Sequence, residues 1–313
     1  MTTQEETATP GETVERPSSA GIVLALVGLL WMAGLLWSAR ATITGRDDAE
    51  MEVTSTAYAL PGAISASLVG GAAVALAVLT AISRRRTLGG TLRFAIATGT
   101  GLVLGLLGAL SIITINQDGW VYAVVGGTVA AAATIGGALA GFRAPRVLAA
   151  VCWAAITVFA IGVVLNFVPW LQLFGSGSST SSQFGAANWF SLTQRVLGGL
   201  AAGLVAYASL RRARRGADGT DVRWPWYALA GAGPGLLLIL AEGLARTAGA
   251  RVLELAGKVS ELETTVQRLL SASRFNSALI VMFIGAVTAI IAIGRTMGPA
   301  ATDADPDADP PEA

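Results

Sequence analysis

The sequence predicts an all-α integral membrane protein with about eight transmembrane helices, and three observations lead to that prediction. The 313-residue chain is 53% hydrophobic and only 13% charged, whereas a soluble protein has about 25% charged residues. Its mean hydropathy is +0.63. Eight stretches are also apolar for about 20 residues, the length that crosses a ~30 Å hydrocarbon core. We therefore expect a lipid bilayer to surround most of the chain.

The eight predicted spans follow one another along the chain as helical hairpins. They cover residues 20–41, 58–82, 94–115, 120–142, 147–171, 190–210, 224–245 and 275–294. The first seven form a predicted bundle over residues 20–245. An alternative with seven spans in total stays open, in which 224–245 is re-entrant because its glycines and proline weaken a helix.

Arginine counts in the short loops predict that both termini face the cytoplasm. The short loops of one side, 83–93, 143–146 and 211–223, contain eleven arginines, whereas the short loops of the other side, 40–57, 116–119 and 171–189, contain only Arg40 and Arg46. Cytoplasmic loops are the ones enriched in basic residues. The use of arginine for nearly every basic position, together with abundant Ala and Gly, is typical of GC-rich bacterial coding. We expect a multi-pass protein of the bacterial cytoplasmic membrane.

Both termini are predicted to be disordered acidic tails. Residues 1–19 carry four glutamates against Arg16, and residues 297–313 are rich in aspartate and proline. Segments with few apolar residues cannot bury enough surface to offset the entropy of ordering.

Composition also removes several classes of function. The chain has no His, so imidazole bases and His-ligated metals are excluded, and the single Cys152 cannot form an intrachain disulfide or a thiolate metal cluster. A net charge of +1 provides no basic surface for nucleic acid. No cofactor, metal or catalytic residue is predicted.

Ionisable residues inside predicted spans are the first site candidates, because charge in the hydrocarbon region is costly and often functional. Arg195 lies in the sixth span, and Glu242 lies near the outer end of the seventh, one turn before Arg246. Two interpretations compete. Glu242 and Arg246 form a same-face i, i+4 pair at the interface, or Arg195 and Glu242 join across two helices as a polar outer cleft.

The seventh span contains a predicted helix break. Gly231, Gly233, Pro234 and Gly235 fall within five residues, and a proline inside a helix removes one backbone hydrogen bond. Broken helices in membranes are typical of transporter sites. Since no internal repeat accompanies the break, a simple kink is the favoured interpretation.

Residues 246–274 form the strongest periodic pattern outside the predicted spans. Apolar residues recur at alternating steps of three and four, which is the a and d pattern of heptads. We call these six residues the heptad stripe: Val252, Leu255, Val259, Leu262, Val266 and Leu269. Loop parity places this amphipathic helix outside the cytoplasm. Since no proline lies between Ala250 and Thr296, we expect it to continue without a break into the eighth helix, 275–296.

Three placements of this outer helix stay open. It lies flat on the membrane, it covers the outer loops of its own bundle, or it projects and binds a protein partner or a second copy through residues 250–272. The narrow stripe with mixed charge beside it favours the projecting arm.

These features support three hypotheses of function. The first is a non-enzymatic assembly or accessory subunit of a cell-envelope complex, which acts through the outer helix. The second is a small permease with its site at the broken seventh helix. The first outer loop is acidic and contains Asp47, Asp48, Glu50 and Glu52. An acidic residue in this loop resembles membrane glycosyltransferases that use polyprenyl-phosphate sugars, so the third hypothesis is an enzyme acting on lipid-linked sugars.

Overall fold

The protein is described by a computed structural model that covers most of the chain between Ser19 and Thr296. The described residues are 19–44, 49–85, 87–115, 120–142, 144–167, 180–215, 223–259 and 261–296. The predicted disordered tails lie outside them, apart from Ser19, which begins the first helix.

The described residues form nine α-helices and no strand. Their bounds are α1 Ser19–Thr44, α2 Ala49–Ser83, α3 Gly90–Ile113, α4 Trp120–Ala140, α5 Pro145–Phe167, α6 Thr180–Arg215, α7 Trp224–Thr247, α8 Ala250–Val259 and α9 Glu261–Gly294. The all-α class is therefore confirmed for the described residues.

Seven of these described helices, all except α6 and α8, are long and apolar enough to cross a membrane. The predicted sixth span lies in α6, whose hydropathy is lowered by Gln194, Arg195 and the arginines at its C-terminal end. The alternative with a re-entrant seventh span finds no support, since α7 is one helix of 24 residues. The count of eight spans and the direction of insertion stay predictions.

Long helices alternate in direction, which gives the bundle two distinct ends. At one end Arg40, near the end of α1, donates to the Ser111 carbonyl of α3 at 2.8 Å. At the other end Arg93, near the start of α3, donates to the Phe142 carbonyl that follows α4 at 3.0 Å. Helix α8 belongs to the first of these, which we call the α8 end.

Small residues allow the closest helix contacts in the bundle. Gly101 of α3 meets Gly137 of α4, and Gly285 of α9 meets the backbone of Gly231 in α7 so closely that a Cβ atom at either glycine would overlap the facing backbone. Lipid provides no hydrophobic force between helices, so this backbone approach supplies much of the packing attraction.

The expected continuous helix from residue 250 to 296 is wrong. Helix α8 ends at Val259, α9 begins at Glu261, and the Thr264 hydroxyl of α9 donates to the Gly257 carbonyl of α8 at 2.7 Å. Seven residues along one helix are about 10 Å apart, so the two helices fold back on each other. Packing of α8 against α2 and α4 overrides the helical propensity that predicted continuity.

Candidate functional site

The main polar site is a cluster of four residues that joins α7 to α9 at the α8 end. Glu242, whose side chain is only 4% exposed, accepts a hydrogen bond from Arg246 Nε at its Oε1 (2.9 Å) and one from Arg274 Nε at its Oε2 (2.9 Å). The Ser271 hydroxyl also donates to Oε1. We call Glu242, Arg246, Ser271 and Arg274 the polar cluster.

Charge within the polar cluster does not cancel. One carboxylate faces two guanidinium groups, so the cluster carries a formal charge of +1. Glu242 lies five residues before the end of α7, which is about 8 Å along the helix axis. The polar cluster therefore has one guanidinium charge that Glu242 does not neutralise.

The predicted cleft between Arg195 and Glu242 is not formed by direct pairing. Arg195 Nη2 donates instead to the Ser273 hydroxyl of α9 at 2.8 Å, and no described contact links it to Glu242. The other interpretation, an i, i+4 pair of Glu242 with Arg246, is confirmed in its geometry. Arg195 is a neighbour of the polar cluster rather than a member.

Arg274 is the member of the polar cluster that sequence reasoning missed. It lies just before the predicted eighth span, where an arginine is expected at the membrane surface. The sequence contained one indication of its membership: Arg274 follows Ser271 by three residues, which places both side chains on the same face of a helix. Only the packing of α9 against α7 brings it to Glu242, so sequence spacing could not predict the pair.

The predicted helix break in α7 is wrong, because the helix continues through all four residues. Gly231 and Gly235 instead allow α9 to approach at Gly285 and Met282, and Gly233 lies against Val151 of α5. The glycines of α7 thus allow neighbouring helices to pack closely.

A cavity of about 300 Å³ lies where the prolines of two helices face each other across the bundle. Its walls include Pro61 of α2 and Pro234 of α7, which we use to name it the proline cavity, and the charged side chain of Arg274 also lines it. Trp31 of α1 and Phe159 of α5, also in its wall, have ring centroids 4.7 Å apart. Most of the other wall residues are apolar, so the cavity suits a hydrocarbon group.

The heptad stripe divides between two environments. Val252 of α8 is 0% exposed and lies in the core formed with α2, and Leu255 is partly buried beside it. Leu262 and Leu269 of α9 are 74% and 66% exposed. Val266 is half-buried. The side chain of Val259 lies outside the described residues.

The acidic loop behind the third hypothesis is described only in part. The Tyr122 hydroxyl of α4 donates to Glu52 at the start of α2, so this carboxylate is used to join two helices. Asp47, Asp48 and the side chain of Glu50 lie outside the described residues.

No protein-family model, curated protein or solved structure gives a significant match to this chain. The polar cluster, the proline cavity and the exposed leucines of α9 are the features of the described residues that bear on function.

Proposed function

We propose that this chain is a non-enzymatic accessory subunit of a cell-envelope complex, which binds a helical segment of a protein partner through the exposed face of α9 at the α8 end. The observation that carries the proposal is the exposure of Leu262 and Leu269, 74% and 66%, at a spacing of seven residues. A second helix fits such a spacing, since residues seven apart lie on one face of a helix.

The position of Leu262 along the bundle favours protein over lipid as the occupant. Arg246 donates to the Ser271 carbonyl at 3.2 Å and the Ser271 hydroxyl donates to Glu242, so Ser271 is level with the last two turns of α7. Leu262 lies nine residues further out, about 14 Å at 1.5 Å per residue. The 24 residues of α7 already span about 36 Å, more than the ~30 Å hydrocarbon core. Leu262 therefore extends past the hydrocarbon.

The surroundings of the two leucines are those of a small docking surface. Burial of two leucines gains roughly 1.5–3 kcal/mol each, and polar residues beside an apolar centre form the usual rim of an interface. Here a groove of about 640 Å³ between α8 and α9 carries Glu254, Lys258 and Arg268 in its wall. Phe283 and Ile290 extend the exposed face of α9 toward lipid, so a partner helix could follow α9 into the membrane.

Site-specific photo-crosslinking in native membranes tests the proposal. A photoreactive residue at Leu262 or Leu269 should give one crosslinked species of defined mass. The same residue at Thr264, which faces Gly257 of α8, is the matched control and should give none. Leu262→Asp should release the partner while the protein still inserts. Crosslinks only to lipid would contradict the proposal, and a crosslinked dimer of this chain would identify the partner as a second copy.

A permease is the second candidate function, favoured by the proline cavity beside the polar cluster. Pro61 and Pro234 each leave the carbonyl four residues earlier without its helical donor, and both prolines line the cavity. Solute exchange by proteoliposomes should then be lost when Ala155, another wall residue, is replaced by Phe. Exchange that Ala155→Phe leaves unchanged would remove this candidate.

A further inference from the structure

Two buried nitrogen donors in the wall of the proline cavity have no hydrogen-bond partner among the described residues. They are Arg274 Nη2 and Trp31 Nε1, and both residues line this cavity. Buried donors without a partner are rare in folded proteins and call for an explanation. An acceptor supplied by a ligand at the α8 end would satisfy Arg274 Nη2, whereas Trp31 lies nearer the middle of the bundle, nine residues of α1 before Arg40.

The charge in the cavity wall favours a negatively charged acceptor. Arg274 already binds Glu242 through Nε at 2.9 Å, but Glu242 also accepts from Arg246. One carboxylate thus accepts hydrogen bonds from two guanidinium groups, and Arg274 Nη2 can donate to a second anion. Charge-assisted bonds of a guanidinium to carboxylate or phosphate are stronger than neutral ones.

The remainder of the cavity suits a hydrocarbon chain of limited length. Leu35, Val69, Val158 and Leu237 are among its wall residues. From the level of Glu242 to that of Pro234 is eight residues of α7, about 12 Å along the axis. The charged end lies toward the α8 end and the apolar end toward the middle of the bundle, which is the orientation of a lipid in one leaflet.

We infer that the proline cavity binds a single-chain amphiphile whose anionic head, a carboxylate or a phosphate, is held by Arg274. This inference deepens the second candidate function, but it concerns binding alone. If the protein binds the amphiphile but does not exchange solutes, the inference holds and the permease hypothesis is excluded. It is also independent of the protein partner proposed for α9.

Binding of defined amphiphiles to the full-length protein in phosphatidylcholine nanodiscs tests this inference. Oleate and oleyl phosphate should both bind, and the tighter of the two identifies the preferred head. Oleyl alcohol, which has the same chain without the charge, should bind at least tenfold more weakly. Acetate and inorganic phosphate, which lack the chain, should not bind at millimolar concentration. The inference would be overturned by any of three results. Oleyl alcohol could bind as tightly as oleate, the free anions could bind as tightly as oleate, or no amphiphile could bind.

Three variants assign the binding to the proline cavity. Arg274→Gln should weaken the binding of oleate at least tenfold and abolish the difference in affinity between oleate and oleyl alcohol. Arg251 is an exposed arginine of α8, and Arg251→Gln should leave both affinities unchanged. Because Arg274→Gln also removes an ion pair, Ala155→Phe provides a second test that leaves the polar cluster intact and fills the cavity. If monodisperse Ala155→Phe protein binds oleate as tightly as the unmodified protein does, the ligand lies outside the proline cavity and the inference is refuted.

Discussion

The two halves of the heptad stripe have the same sequence pattern and opposite environments. In α8, Val252 and Ala256 are 0% exposed against α2, whereas in α9 Leu262 and Leu269 are 74% and 66% exposed. Both halves are helical, and both present apolar residues at steps of three and four. The periodicity therefore predicts a helix and its apolar face, but it does not predict what covers that face.

The difference arises where the chain folds back between the two helices. Helix α8 has only ten residues, too few to be stable alone in water, so its helicity depends on the core contacts of Val252 and Ala256. Helix α9 is anchored instead by its long membrane segment and by the polar cluster. Its outer turns can therefore remain helical with their leucines exposed.

The largest expected effect comes from placing a charge in the covered half. Val252→Asp puts an unpaired carboxylate into the core between α8 and α2, which should lower the free energy of unfolding by at least about 3 kcal/mol. Thermal unfolding in maltoside micelles measures this loss, and protease cleavage near residue 250 should become faster as α8 detaches.

The same substitution in the exposed half is the matched control. Leu262→Asp should change the stability of the isolated protein by no more than about 0.5 kcal/mol, as is usual for surface positions. If both substitutions destabilised the protein equally, the contrast between the two halves of the stripe would be wrong.

The next effect concerns the polar cluster that anchors α9 to α7. Glu242→Gln leaves Arg274 and Arg246 without their carboxylate. Removal of one partner from a buried ion pair costs about 3–5 kcal/mol. These arginine side chains are 29% and 48% exposed, so water screens part of that cost. We expect a loss of about 2 kcal/mol in thermal unfolding.

A double-mutant cycle with Arg195 separates the polar cluster from its neighbour. Arg195 donates to Ser273 and not to Glu242, so the effects of Arg195→Gln and Glu242→Gln should add within about 0.5 kcal/mol. A larger coupling energy would restore the polar cleft that the sequence predicted between these two residues.

A smaller effect is expected where the two halves of the stripe meet. Thr264→Val removes the hydrogen bond to the Gly257 carbonyl and should cost about 1 kcal/mol. Thr264→Ser keeps the hydroxyl and should retain most of that stability. If Thr264→Val instead joined α8 and α9 into one helix, spin labels at residues 253 and 267 would move apart, and the fold-back would depend on this single bond.

The sequence predicted the all-helical membrane class and the approximate positions of α1 to α7, and it offered the ion pair of Glu242 with Arg246 as one of two interpretations, because these follow from composition and from spacing within one helix. It did not predict Arg274 as a partner of Glu242 or the proline cavity, and it left open whether the bundle covers α8. Each of these needs residues from helices that are distant in sequence. The apparent break in α7 also depended on a neighbour, since Gly231 and Gly235 are explained by the approach of α9.

The smallest effect should come from the exposed ion pair of α8. Lys258 Nζ lies 3.0 Å from Glu254 Oε1, and the hydrogen bond from Lys258 holds the pKa of Glu254 below its ordinary value of 4.5. A lowered carboxyl pKa adds stability at neutral pH that is lost as the pH falls through the folded-state pKa. Both side chains are more than half exposed, and water screens such pairs. Glu254→Gln should therefore lower the unfolding midpoint by less than Thr264→Val does, and the difference from the unmodified protein should vanish only at pH values below the lowered folded-state pKa of Glu254. A larger loss would mean that α8 is held by its charged face rather than by Val252 and Ala256.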